Sequence, residues 1–127
     1  MSARKDRLKK LVEVQEQLKA LHEARRARFL ADAATAEAEA EALAQRFDEA
    51  GSLSALFPEL YHRRISGELA RRDANLEDAR REAGMAATAT ARTTIVERAY
   101  RHARDMDERQ RADRERLELI EQKRKAE

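Results

Sequence analysis

A helix has to stop in this chain at one stretch, Glu49-Ala50-Gly51-Ser52-Leu53-Ser54-Ala55-Leu56-Phe57-Pro58. Gly51 can take the left-handed conformation that ends a helix, and the side chain of Ser52 or Ser54 can accept the free amide hydrogens of the next one. Pro58 lacks the amide hydrogen that a helix interior needs, but it is tolerated in a first turn. The stretch therefore predicts a corner between two helices.

Composition also favours helices. Of 127 residues, 41% are charged and only 4% are aromatic, with no Trp, which is a poor stock for a compact globular core. Abundant Ala, Glu, Arg, Leu and Lys is typical of long helices, and regularly placed apolar residues disfavour a disordered chain. The absence of Cys excludes a disulfide framework. No uninterrupted apolar run follows the basic residues 1–10, so we expect neither a signal peptide nor membrane insertion, and a cytoplasmic protein.

The chain on either side of the corner reads as a helical arm. The first arm covers about residues 4–50, the turn about 51–57 and the second arm about 58–125. Apolar residues recur along the first arm at steps of three and four, with a one-residue slip of the heptad phase between two runs. These runs are Leu8, Leu11, Val14, Leu18 and Leu21, then Phe29, Ala33, Ala36, Ala40, Leu43 and Phe47.

The second arm shows two similar stripes, separated by residues 84–94, which we interpret as helix held by packing because small and β-branched residues dominate there. The stripes are Ile65, Leu69, Leu76, Ala79, Ala83 and Ala86, then Val96, Ala99, Ala103, Met106, Leu117 and Ile120.

Folding the arms together about the corner predicts which residues face each other. With the apex near residue 53, facing residue numbers add to roughly 106, which places bulky residues opposite small ones. The pairs expected on this basis are Leu18 with Thr88, Leu21 with Met85 and Leu11 with Ile95. The predicted fold is all-α: one antiparallel coiled-coil hairpin over residues 1–127, with residues 106–127 as a C-terminal overhang.

Charge is distributed unevenly along the chain. Residues 1–30 hold nine bases and four acids, whereas residues 31–50 hold one base and six acids. The simplest interpretation is that these charges solvate exposed helix faces. The functional interpretation is that the basic open end of the hairpin docks on an acidic partner surface.

No catalytic pattern is present in the sequence. His22, His62 and His102 are dispersed and do not converge in the predicted hairpin, so we expect no metal site and no cofactor. The three glycines are too far apart for a phosphate-binding loop, and a two-helix hairpin offers no concave substrate pocket. The expectation is a protein that is not an enzyme.

Nucleic-acid binding is the least favoured of the binding functions. Arginines are numerous, but acids are interleaved among them and few aromatic residues could stack on bases. We expect no nucleic-acid partner, and a weakly nucleic-acid-binding coiled coil stays as the last alternative.

Apolar residues crowd at the corner, where a hairpin tip has little interior. One interpretation is a small plug, in which Phe57 folds back on Phe47. The other is a contact patch for a partner protein. The patch consists of Leu53, Leu56, Phe57, Leu60 and Tyr61.

The ends of the chain carry weak family motifs. They are the basic-leucine run Arg7-Leu8-Lys9-Lys10-Leu11 and the segment Tyr100-Arg101-His102-Ala103-Arg104-Asp105-Met106-Asp107-Glu108-Arg109-Gln110-Arg111, with its acidic pair Asp107-Glu108 followed by bases. A short, charged, Cys-free chain of two long helices with these ends resembles the FliJ family of flagellar type III export proteins. In that family an antiparallel coiled coil is similar to the central shaft of a rotary ATPase.

The resemblance implies partners for both ends of the hairpin. The open end would enter the hexameric ring of an export ATPase, and the corner would face a membrane export gate protein, with export chaperones as further partners. This implies a cytoplasmic stalk, peripheral to the inner-membrane export apparatus. The alternative is a generic coiled-coil adaptor or spacer. The ATPase-side residues would be Arg4, Lys5, Arg7, Lys9, Lys10, Asp107, Glu108, Arg109 and Arg111.

Overall fold

Two long helices make up the protein in a computed structural model that describes residues 2–126. Helix α1 is Ser2–Asp48, a 3₁₀ turn is Leu53–Ala55, and helix α2 is Pro58–Ala126. The two helices pack against each other, and residues 2–126 contain no strand. The all-α helical hairpin predicted from the sequence is confirmed.

The hairpin divides into two compact units. One consists of Met1–Leu18 with Thr88–Glu127, and we call it the open-end unit. The other consists of Lys19–Ala87, and we call it the corner unit. Each unit contains part of both helices, so each holds its own set of contacts between α1 and α2.

The corner is built as its residues predict. Gly51 has φ +84°, the left-handed conformation that a residue with a side chain rarely adopts. The Ser52 hydroxyl oxygen caps the 3₁₀ turn by accepting from the Ser54 amide. The buried Ser54 hydroxyl donates to the Phe47 carbonyl at 2.8 Å, which satisfies one of the free carbonyls at the end of α1. Pro58 opens α2, where its missing amide hydrogen leaves no bond unmade.

Small residues are the most completely buried part of the contact between the helices in the corner unit. Side chains at every third or fourth position of α1 from Ala33 to Leu43 are buried there, as are Ala79 and Ala86 of α2. Nearer the corner, Phe47 packs edge-on against Tyr61, with ring centroids 6.0 Å apart. In this facing pair the two residue numbers add to about 108, which is two more than the sum predicted from the sequence. The buried apolar residues of this unit are Ala33, Ala36, Ala40, Leu43, Ala79 and Ala86.

The open-end unit shows which stripe of α1 faces α2. Lys5, Val12 and Gln15 are partly buried, as is Leu8 of the predicted stripe, whereas its members Leu11, Val14 and Leu18 are 36–47% exposed. The same spacing continues through Lys19 and His22 and, beyond the exposed Arg26, to the buried alanines of α1. The predicted slip of the heptad phase is therefore wrong, because the contact positions keep one seven-residue spacing along the helix.

On α2 the predicted stripe is partly confirmed, since Val96, Ala99 and Ala103 are partly buried. Ile95 is 66% exposed, so the expected pairing of Leu11 with Ile95 across the interior is wrong. Met106, Leu117 and Ile120 of the same stripe are exposed, as expected for the overhang predicted over residues 106–127. The contact positions of α2 in the open-end unit are Ala89, Thr93, Val96, Tyr100, Ala103 and Asp107.

Polar pairs stabilise this register in each unit. In the corner unit the His22 imidazole Nδ1 donates to Glu82 Oε2 at 2.5 Å, and Arg25 lies 4.0 Å from the other oxygen of that carboxylate. Glu82 is buried, so its charge requires such partners. In the open-end unit Lys5 lies 3.9 Å from Asp107. A rotation of α1 that turned its leucines inward would separate each of these pairs.

Two glycines test the corner. We expect Gly51→Ala to lower the free energy of unfolding by about 1–2 kcal/mol, because alanine at positive φ is strained. Gly67→Ala, inside α2, should raise it by about 0.5–1 kcal/mol, because a helical glycine carries excess backbone entropy in the unfolded chain. Neither added Cβ has an atom within 4 Å, so backbone conformation alone separates the variants. Urea unfolding followed by circular dichroism measures both changes, and two changes of the same sign would contradict this corner.

Candidate partner-binding surfaces

The ATPase-side residues predicted from the sequence lie in the open-end unit, on both helices. The structure brings Lys5 and Asp107 together as an ion pair in which both side chains are largely covered. Because the two charges interact with each other, these side chains are poorly placed to bind a partner. The remaining predicted residues are exposed, namely Arg4, Arg7, Lys9, Lys10, Glu108, Arg109 and Arg111.

Two shallow grooves run between the helices of this unit, one on each side of the contact. Arg4 lines the first groove with His102 and Met106 of α2. Lys9 lines the second with Glu97 and Arg101 of α2. Residues seven apart on a helix lie on the same side of it. The residues that line each groove therefore show on which side of the contact the other residues of the two helices lie.

The side that carries Arg4 is apolar and basic, and we call it the leucine flank. On α1 it continues from Arg4 through Arg7 and Leu11 to Leu18, and on α2 it runs back from Met106. No carboxylate occupies its positions between residues 4 and 18 of α1 or between residues 92 and 109 of α2, and the next position beyond Met106 on α2 is Asp113. Its members within these limits are Arg4, Arg7, Leu11, Val14, Leu18, Arg92, Ile95, Ala99, His102, Met106 and Arg109.

The side that carries Lys9 is acidic, and we call it the acidic flank. All three carboxylates that α1 has in this unit lie on it. On α2 two bases of this flank are paired, since Arg101 lies 3.8 Å from Glu97 and Arg104 lies 3.5 Å from Asp105, whereas Arg111 has no ion pair to a described residue. The members of this flank are Asp6, Lys9, Glu13, Glu16, Glu97, Arg101, Arg104, Glu108 and Arg111.

The last part of α2 is the C-terminal overhang that the sequence predicts. Every residue from Glu108 to Ala126 is exposed, beyond the pairing of Lys5 with Asp107. Leu117, Leu119 and Ile120 are 56–62% exposed there. Ion pairs one turn apart, such as Arg116 with Asp113 at 3.9 Å, add a few tenths of a kcal/mol to helix stability. The segment is therefore a helix without a packing partner among residues 2–126.

The apolar residues at the corner divide into two groups. Tyr61 is partly buried against Phe47, and the ring centroid of His62 lies 5.0 Å from that of Phe47. Phe57 is 53% exposed, so the interpretation in which Phe57 covers Phe47 is wrong: Tyr61 and His62 cover it instead. The rest of the predicted patch is exposed, namely Leu53, Leu56, Phe57 and Leu60. A groove there is lined by Leu53, Phe57, Leu60, Tyr61 and Arg64.

The leucine flank was missed by sequence reasoning. Its leucines were assigned to the interior because they form the most apolar stripe of α1. The seven-residue spacing of the alanines could have located them. Counting back in sevens from Ala33 and Ala40 reaches Lys19, Val12 and Lys5, which places the leucines outside the contact face.

The described residues contain no arrangement of side chains that could bind a metal ion. No three His, Asp or Glu side chains of residues 2–126 converge as metal ligands. The three histidines lie apart along the helices, and the closest polar partner of His22 is Glu82. Within the same range, no helix is apolar over a length sufficient to cross a bilayer.

Comparison with known proteins adds no relative. A scan against models of protein families, a search of curated proteins and a search of solved structures each returned no match.

Two phenylalanines test whether the corner patch is structural or free. Phe47→Ala should lower the free energy of unfolding by about 2 kcal/mol or more, because it removes the ring on which Tyr61 and His62 pack. Phe57→Ala, a matched truncation of an exposed ring, should change it by less than about 0.5 kcal/mol. Both values come from urea unfolding of the full chain. A loss at Phe57 as large as that at Phe47 would mean that the patch closes the corner and is not free for a partner.

Proposed function

We propose that this hairpin is a non-enzymatic stalk of a flagellar or type III export ATPase. Its open end binds inside the ATPase hexamer, and its corner faces the membrane export gate protein. The chain then works in the cytoplasm, peripheral to the inner-membrane export apparatus, where export chaperones are further partners. The resemblance of its two ends to the FliJ family supplies this assignment.

The observation that supports the proposal best is the exposed overhang. A helix of nineteen residues, from Glu108 to Ala126, stands without a packing partner among the described residues and carries three exposed large apolar side chains. Most of the stability of a helix in a protein comes from packing of its apolar side chains, so contact with another protein would stabilise this end of α2. A helical segment that projects past its own partner has the geometry required to insert into a ring.

Asymmetry gives such a stalk a means to act on the ring. The leucine flank and the acidic flank of the open-end unit present different charges and different apolar content in different directions. Ring subunits that meet different flanks make different contacts, and a difference in contact free energy shifts each subunit between its conformations. The stalk therefore biases the catalytic cycle of the ring without taking part in its chemistry.

An adaptor or spacer is the second candidate function. The exposed leucines of α1 favour it, because an apolar stripe on a helix surface typically marks a protein contact. A weakly nucleic-acid-binding coiled coil is the third, and the carboxylates of the acidic flank count against it. A dimeric mass of the purified chain would support the spacer, and a steep salt dependence of DNA or RNA retention would support the third function.

Stimulation of the export ATPase tests the stalk. We expect the full chain to raise the rate of ATP hydrolysis by the cognate hexamer, and removal of residues 1–10 or 106–127 to abolish the increase. A finer variant combines Arg109→Glu with Arg111→Glu, both exposed and without an ion pair to a described residue, and should weaken stimulation by about fivefold.

The matched control reverses two exposed arginines of the corner unit, Arg63→Glu with Arg80→Glu, and should leave stimulation unchanged. Unchanged hydrolysis at every ratio of stalk to hexamer would contradict the proposal. Equal losses from both double variants would show a response to net charge rather than to the open end.

A further inference from the structure

The leucine flank of the open-end unit has apolar side chains that nothing in the hairpin covers. Leu11, Val14 and Leu18 are 36–47% exposed on α1, and Ile95 is 66% exposed on the same side of α2. These four apolar side chains lie on one side of two adjoining helices, and we call them the apolar strip. Exposed apolar side chains grouped on one side of a surface make that side a candidate for a protein contact.

Charge at the edges of the strip restricts what can bind. Arg92 lies toward its Leu18 end, and Arg4, Arg7 and Arg109 lie toward its other end. All four are exposed, and none forms an ion pair with a carboxylate in residues 2–126. On the acidic flank, by contrast, Arg101 and Arg104 form ion pairs, and Lys9 lies among the three carboxylates of α1. The apolar strip is therefore bordered by four arginines that are unpaired within the described chain, whereas the acidic flank carries charges of both signs.

We propose that the leucine flank binds an amphipathic helix of another protein, with an apolar stripe against Leu11, Val14, Leu18 and Ile95 and carboxylates toward the arginines. A helix laid along two others is a common mode of recognition. From Arg4 to Leu18 the flank extends about 21 Å, which four turns of a bound helix would cover. This binding does not require an ATPase, so it is tested independently of the stalk proposal.

A second copy of this chain fits the flank poorly. In a two-fold pairing the same flank would face itself, and it carries arginines at both ends with no carboxylate to meet them. The acidic flank of another copy offers charge of the right sign but has Lys9, Glu13 and Glu16 where an apolar stripe is needed. The exposed overhang from Glu108 to Ala126 has apolar residues, but it holds seven bases and five acids. Like charges at close range disfavour these pairings.

A lipid surface and a nucleic acid also match the flank less well. Helices that lie in a membrane interface use Trp and Phe beside Leu, and proteins that hold single strands stack bases on aromatic rings. The leucine flank contains no Phe, Tyr or Trp. Its apolar centre would remain in water against a phosphate backbone. A helical protein partner is the occupant that covers both the leucines and the arginines.

The experiment measures binding of a synthetic helix to the full chain. The probe is a fluorescently labelled peptide of about 18 residues, with leucines at steps of three and four and glutamates beside them, long enough to span the flank. A second peptide has lysine in place of every glutamate. We expect the acidic peptide to saturate at one per hairpin by fluorescence anisotropy, with an affinity that falls as salt is added, and the lysine peptide not to bind.

Variants identify the flank that is used. Leu11→Gln with Leu18→Gln should weaken binding by about tenfold or more, because it replaces two apolar contacts with amides. The control Leu30→Gln changes an exposed leucine of α1 in the corner unit and should leave the affinity unchanged. Arg7→Gln with Arg92→Gln should weaken binding by about fivefold and flatten its salt dependence, while Arg63→Gln with Arg80→Gln should do neither.

Several results would overturn the inference. Equal binding of both peptides, or equal losses in the flank variants and their controls, would show unspecific attraction. Binding to phosphatidylserine vesicles or duplex DNA that the flank variants abolish, without binding of the acidic peptide, would assign the flank to those ligands. A doubled mass in light scattering that Leu11→Gln with Leu18→Gln reverses would assign it to a second copy. Shifts of the NMR methyl resonances of the unmodified chain on addition of the acidic peptide identify the bound flank directly. This measurement uses no variant, so it identifies the flank even if a variant unfolds.

Discussion

Close packing of small residues fixes how the two helices of this hairpin meet. Ala33, Ala36 and Ala40 are among its most completely buried residues, and they bring α1 against α2 with little freedom to rotate. The seven-residue spacing that passes through these alanines continues along α1 to Lys5. Once that phase is set, the helix has to present its partly polar face to α2 and its leucines to the outside.

The corner and the two helices could be predicted from the sequence. Gly51, Ser52, Ser54 and Pro58 each have a local conformational preference, and local preferences survive in the folded chain. The overhang followed from chain length alone, because the arm after the corner is longer than the arm before it. These features required no knowledge of which side chains touch across the hairpin.

The contact face was predicted less well, because hydrophobicity was taken as its marker. Leucines at Leu11 and Leu18 are more apolar than Val12 and Gln15, yet the latter two face α2. Two kinds of contact outweigh the difference: the alanine packing of the corner unit, and the polar pairs of His22 with Glu82 and Lys5 with Asp107. A buried Glu82 without His22 would cost several kcal/mol, more than the half-burial of one leucine gains. The resulting exposed leucines give the open-end unit two unlike flanks, and the protein binding that we propose for this unit is based on that difference.

Cysteine cross-linking in this cysteine-free chain tests the phase of the helices most directly. Val12→Cys with Val96→Cys places both thiols on the contact face, and Leu11→Cys with Ile95→Cys places both on the leucine flank. We predict that mild oxidation closes an intramolecular disulfide readily in the first variant and poorly in the second, because a disulfide needs Cβ atoms about 4 Å apart. Rapid closure between positions 11 and 95, with none between 12 and 96, would mean that the leucines face inward.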